Sequence, residues 1–121
     1  MRDFKEVAKY LKKKIDFTPK VGIVLGSGLG KMADKIDVKV SISYNTIPGF
    51  KAATVEGHAG NLLFGYLSDI PVVAMQGRNH FYEGHSMQEI TFPIRVLKYL
   101  GIEYLITSNA VGAMNENYEI G

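Results

Sequence analysis

The 121-residue chain is 46% hydrophobic and 21% charged, a composition that suits one globular domain and excludes a disordered or collagen-like chain. It contains no cysteine, which excludes a disulfide framework, a thiolate metal site and a thiol nucleophile. Its formal net charge of +2 is too small to imply a nucleic-acid or membrane partner.

The charge is unevenly spread. Positions 1–40 carry ten basic and five acidic residues, whereas positions 41–121 carry four and seven; a solvated helical face accounts for this. The charged start MRDFKEVAKYLKKK lacks the apolar core of a secretion signal. No apolar run reaches the roughly 18 residues that span a bilayer, so the sequence reads as a soluble, untargeted protein.

In chain order, Phe4, Val7, Ala8, Leu11 and Ile15 recur at helical spacing with lysines opposite, which predicts an amphipathic helix stopping near Thr18 and Pro19. The β-branched run Val21–Leu25 breaks into Gly26, Ser27, Gly28, Leu29 and Gly30, predicting a buried strand, a tight loop and a short helix. Weaker strands are predicted at 38–44 and 54–56, separated by the Pro48, Gly49 turn signal. The apolar runs 62–67 and 70–75 are expected to pair through a turn at Ser68 and Asp69. Residues 87–100 predict a helix broken at Pro93 and capped by Gly101, followed by a strand at 102–107. This alternation predicts an α/β fold with a parallel or mixed sheet covered by helices.

Chemistry concentrates where predicted strands end. The glycine-rich stretch around Ser27 can turn successive backbone N–H groups and a hydroxyl toward an anion, and reads equally as tight packing. It is neither a dinucleotide fingerprint nor a Walker loop, because no Gly-Lys-Ser/Thr follows. After the strand at 70–75 comes Gln76, Gly77, Arg78, Asn79, His80, Phe81, Tyr82, Glu83, Gly84 and His85, and ligands of α/β sheets bind beyond strand carboxyl ends. Arg78 offers a permanently charged fork for two phosphate oxygens, and His80 can add a hydrogen bond. The plainer alternative is an Arg78–Glu83 ion pair beside a structural imidazole. His80, Glu83 and His85 match no zinc spacing, and an adjacent arginine opposes a cation. His58 lies in a second glycine-flanked stretch, and Ser108, Asn109 and Ala110 end the last strand. The remaining aromatics, Tyr44 among them, read as core or interface residues.

The segments VGIVLGSGLG, VEGHAGNLLFGYL, MQGRNHFYEGHSMQEITFPIRVLKYLG and TSNAVGAMN, in this order, resemble the trimeric purine nucleoside phosphorylases specific for 6-oxopurines. The resemblance implies a phosphorylase/hydrolase-like α/β/α sandwich with a mixed central sheet, incomplete in this chain, and a cytoplasmic homotrimer. It implies reversible phosphorolysis of purine ribonucleosides and deoxyribonucleosides, such as inosine and guanosine, to the free base and α-(deoxy)ribose 1-phosphate. No cofactor or metal is implied; inorganic phosphate is the co-substrate. By the same resemblance Ser27, Arg78, His80 and the backbone N–H of Ala110 hold phosphate, His58 lies beside it, Tyr82 contacts the ribose and Glu83 orients the pocket. Arg78, His80 and Glu83 are thus the expected catalytic residues.

Chains of that family run to more than twice this length, and their purine-binding Glu and Asn lie in the later part. Residues 1–121 are therefore expected to be the N-terminal portion of one nucleoside phosphorylase domain, inactive alone. Val111, Gly112 and Ala113 stand where the family commonly has Ala-Gly-Gly, a departure shared with methylthioadenosine phosphorylases. That enzyme and a non-catalytic phosphate- or nucleoside-binding module are the alternatives. The stretch Arg78 to Gly84 favours the oxopurine enzymes.

Overall fold

A computed structural model describes residues 3–25, 30–50, 60–77 and 87–107, with the backbone alone at residues 30 and 87–90. Helix α1 (Phe4–Lys12) opens on Asp3, whose carboxylate accepts the Lys5 N–H at 2.9 Å, satisfying one of the free donors of the first turn. Val7, Ala8 and Leu11 form its buried stripe. The helix ends at Lys12, short of the sequence expectation, and Ile15 reaches the core from the following turn.

Strand β1 (Val21–Leu25) matches its predicted bounds and leads, across residues 26–29, to a 3-10 turn at Gly30–Lys35. Strand β2 (Asp37–Ser43) stops one residue before the predicted end because Ser43 caps a second 3-10 turn, Tyr44–Thr46. The Ser43 hydroxyl accepts the Asn45 N–H at 3.3 Å, and the Thr46 hydroxyl donates back to the Ser43 carbonyl at 2.8 Å. The expected turn at Pro48 and Gly49 forms: Phe50 N–H donates to the Ile47 carbonyl at 3.1 Å, with Gly49 at φ +84°. Proline before a left-handed glycine is the residue pair a type II turn requires. The weak strand expected at 54–56 lies outside the described residues.

Strands β3 (Asn61–Leu67) and β4 (Ile70–Gln76) form the predicted hairpin. Ser68 and Asp69 both take positive φ, 49° and 69°, as a two-residue turn matched to strand twist demands. Helix α2 (Met87–Leu100) runs through Pro93 without a break. The expected interruption fails because Phe92, Val96, Leu97 and Leu100 are buried against the sheet. That packing outweighs the roughly 3 kcal/mol a helix-interior proline costs. Gly101, at φ +110°, caps the helix as expected, its N–H donating to the Lys98 carbonyl at 3.1 Å. Strand β5 (Tyr104–Thr107) follows.

The sheet order is β2-β3-β4-β1-β5, with β4, β1 and β5 mutually parallel and β2 and β3 antiparallel, the mixed α/β sheet that was expected. Alternate side chains of each inner strand enter different cores. Val24, Leu62, Phe64, Val73 and Met75 pack with α1 and α2 on one face. Ile23, Leu25, Leu63, Val72 and Ala74 pack with Ala33 and Ile36 of the first 3-10 turn on the other. Burial on both faces is why these strands read as continuous apolar runs. Among the described residues, both α-helices therefore lie on one side. They meet through the Phe4 and Tyr99 rings, 4.9 Å apart.

One glycine sits where a side chain has no room. A Cβ on Gly65 of β3 runs into the Asp37 carbonyl of β2, beside the register shift between Val38 and Val40. The obstacle is backbone, so it yields only by separating two strands. Gly65→Ala should therefore destabilise the protein by about 2 kcal/mol or more, read as a lowered midpoint in urea; an unchanged midpoint refutes the close approach.

Candidate active site

The sheet brings four chain segments to one edge. In the parallel trio, Leu25 at the end of β1 pairs with Gln76 at the end of β4, and Val24 pairs with Thr107 at the end of β5. On the antiparallel side, Asn61 at the start of β3 pairs with both Gln76 and Ser43, the end of β2. The carboxyl ends of β4, β1 and β5, the amino end of β3 and the end of β2 thus lie side by side. Ligands of open α/β sheets collect at such an edge.

The candidate residues are tethered there by chain connectivity. Ser27 lies in 26–29, which follows β1; Arg78, His80, Tyr82 and Glu83 lie in 78–86, which follows β4 and Gly77; His58 lies in 51–59, which precedes Gly60 and β3; Ala110 lies in the segment that follows β5. All seven residues, Ser27, His58, Arg78, His80, Tyr82, Glu83 and Ala110, are outside the described residues, as is His85. What the structure describes is the scaffold from which each of their segments departs.

That scaffold is held by contacts from β3 and from the 3-10 turn that follows β2. The Asn61 amide donates to the Gln76 side-chain oxygen at 3.2 Å, joining the start of β3 to the end of β4. The Tyr44 phenol donates to the Gly77 carbonyl, and the Tyr44 backbone N–H donates to the Gly60 carbonyl at 2.9 Å. The Tyr44 ring also packs on Phe50, centroids 5.4 Å apart. Phe50 in turn meets Phe92 of α2 nearly edge-on at 6.3 Å.

Tyr44 is 3% exposed, and burial pushes its phenol well above the ordinary tyrosine pKa. It is therefore a neutral donor at any pH where the protein works, since burial penalises the phenolate. The sequence reading placed Tyr44 among the core or interface aromatics. The missed signal is general: a buried tyrosine hydroxyl needs a partner, and the partner here is 33 residues away in sequence. Gly77, at φ +95°, takes a conformation natural to glycine just before the Arg78 segment.

Among the described residues, no three His, Cys, Asp or Glu residues gather as a metal site. None of the helices there is long and apolar enough to cross a membrane.

Comparison with known proteins agrees with this architecture. The family model for the phosphorylase superfamily matches residues 20–121. Purine nucleoside phosphorylase 1 of Geobacillus stearothermophilus is 51% identical over 116 residues, covering 96% of this chain and 42% of the relative. The crystal structure of Schistosoma mansoni purine nucleoside phosphorylase in complex with inosine superposes with a TM-score of 0.87 at 46% identity, covering 98% of this chain and 41% of that one. A purine nucleoside phosphorylase in complex with ribose 1-phosphate gives a TM-score of 0.87 at 48% identity, with coverages of 98% and 43%. The chain spans less than half the length of these relatives.

Proposed function

The chain belongs to the phosphorylase superfamily, and from that premise we propose that it is the N-terminal portion of one purine nucleoside phosphorylase domain. The complete enzyme reversibly cleaves inosine, guanosine and their deoxy forms with phosphate, giving the free purine and α-(deoxy)ribose 1-phosphate. It acts as a cytoplasmic homotrimer and needs inorganic phosphate but no cofactor. The observation that carries this reading is the shared sheet edge: β4, β1 and β5 end together beside the start of β3. Each of the four segments bearing a candidate residue leaves from there. The relatives bound to inosine and to ribose 1-phosphate support the substrate class.

In this reading Ser27, Arg78, His80 and the Ala110 N–H hold phosphate, with His58 beside it. Tyr82 contacts the ribose and Glu83 orients the pocket. A phosphate oxygen attacks the anomeric carbon as the bond to purine N9 lengthens, through an oxocarbenium-like transition state. The new C–O bond forms, the C–N bond breaks, and its electron pair leaves on the purine. Residues supplied by the rest of the domain stabilise that charge. Alignment of the nucleophile lowers the barrier by orientation, and the anionic phosphate stabilises the positive sugar that develops beside it. Arg78 acts through charge and geometry, because a guanidinium is not a base at neutral pH.

The test is cleavage of inosine by the complete enzyme with and without phosphate, following hypoxanthine and ribose 1-phosphate. Turnover that requires phosphate and yields both products is expected. Phosphate-independent release of hypoxanthine, or preference for methylthioadenosine over inosine, overturns the assignment.

A further inference from the structure

We infer that Tyr44 is a positioning residue for the phosphate site, acting through the backbone on either side of the segments that carry His58 and Arg78. This rests on the phosphorylase reading above and extends it to a residue outside the substrate-contacting set. Three contacts converge on Tyr44. Its phenol holds the Gly77 carbonyl, its backbone N–H holds the Gly60 carbonyl at 2.9 Å, and its ring packs on Phe50. Phe50 and Gly60 bracket residues 51–59, and Gly77 immediately precedes residues 78–86. One residue, through its backbone N–H and its side chain together, thus meets both ends of the first segment and the start of the second.

The Gly77 bond is the most consequential of the three. A peptide group is planar, so the Gly77 carbonyl shares one rigid plane with the nitrogen of the next residue, Arg78. Holding that carbonyl sets the direction in which the chain leaves β4 toward Arg78. At φ +95°, glycine sits in a region with several accessible conformations, so an external restraint has something to select. The Asn61 to Gln76 hydrogen bond, one residue earlier, joins β3 to β4 through side chains and does not involve the Gly77 carbonyl. The site for the restraint is rigid: Tyr44 is 3% exposed and belongs to the same core cluster as α1 and α2.

Removing the hydroxyl should misplace the anion clamp more than nucleoside recognition, because Arg78 directly follows Gly77 whereas the purine is held by the rest of the domain. In the complete enzyme, Tyr44→Phe is expected to raise the KM for phosphate about tenfold, the usual weight of one well-made hydrogen bond. The KM for inosine should stay within about twofold. Ile42→Val, in the same core cluster, serves as the packing control: it should lower Tm with no change in either KM. If Tyr44→Phe leaves the phosphate KM unchanged, or raises both KM values alike, Tyr44 is structural only and the inference fails while the phosphorylase assignment stands. If the unmutated enzyme shows no phosphate-dependent turnover, both fail.

Discussion

Arg78→Ala in the complete enzyme should lower kcat/KM for phosphate by about 10²–10³-fold, whereas Ser27→Ala should lower it by about tenfold or less. The difference follows from what each side chain can offer an oxyanion. A guanidinium supplies a full positive charge and two parallel N–H donors matched to two phosphate oxygens. Deleting one preorganised donor to a transition-state charge costs about 2.7–4 kcal/mol. A serine hydroxyl supplies one neutral hydrogen bond, worth about 0.5–1.5 kcal/mol. Steady-state rates with phosphate varied at saturating inosine separate the two, and equal or reversed losses refute the ranking. Arg78→Lys should fall between them, because it keeps the charge and loses the fork.

The Arg78 prediction depends on strand order, and strand order was the part of the fold that sequence left open. The β1 strand, the β3–β4 hairpin and the Gly101 cap were all legible from local pattern. Each depends on nearby residues: β-branched runs, Ser68 and Asp69 between two apolar stretches, a glycine after a helical period. The adjacency of β4, β1 and β5 has no local signal, since it pairs Leu25 with Gln76 and Val24 with Thr107 across long stretches of chain. The candidate residues could be named from the sequence, but the shared edge from which their segments depart needed the topology.

One misreading and one omission have the same physical origin. Pro93 was expected to break α2, because proline removes a hydrogen bond whatever its surroundings. The apolar face of that helix was already written in Phe92, Val96, Leu97 and Leu100, and burial of all four decided the outcome. Tyr44 reads as a core or interface aromatic, which its 3% exposure bears out, but no sequence pattern marks the backbone carbonyl that its hydroxyl meets. In each case tertiary contacts decide what an isolated segment does not show.

Phe64→Ala should be the most damaging single substitution in the described core, costing about 3–5 kcal/mol. Phe64 is fully buried, and it sits on β3 between Val40 of β2 and Val73 of β4. A protein of ordinary stability has about 5–15 kcal/mol in all, so this loss is a large fraction of the total and should lower Tm by 10 °C or more. Ile70→Ala, on the same hairpin but 46% exposed, should change stability by less than about 1 kcal/mol, because surface substitutions rarely cost more. The consequence for function follows from position. β3 is the strand that joins β2, which leads into Tyr44, to β4, which leads into Gly77. A cavity at Phe64 loosens both sides of the Tyr44–Gly77 bond at once. Phe64→Ala should therefore raise the phosphate KM as well as lower Tm, while Ile70→Ala should do neither. If Phe64→Ala instead melts within a few degrees of the parent protein, the helix-side core is not cooperative with the sheet, and the rigidity that the proposed anion clamp requires must come from elsewhere.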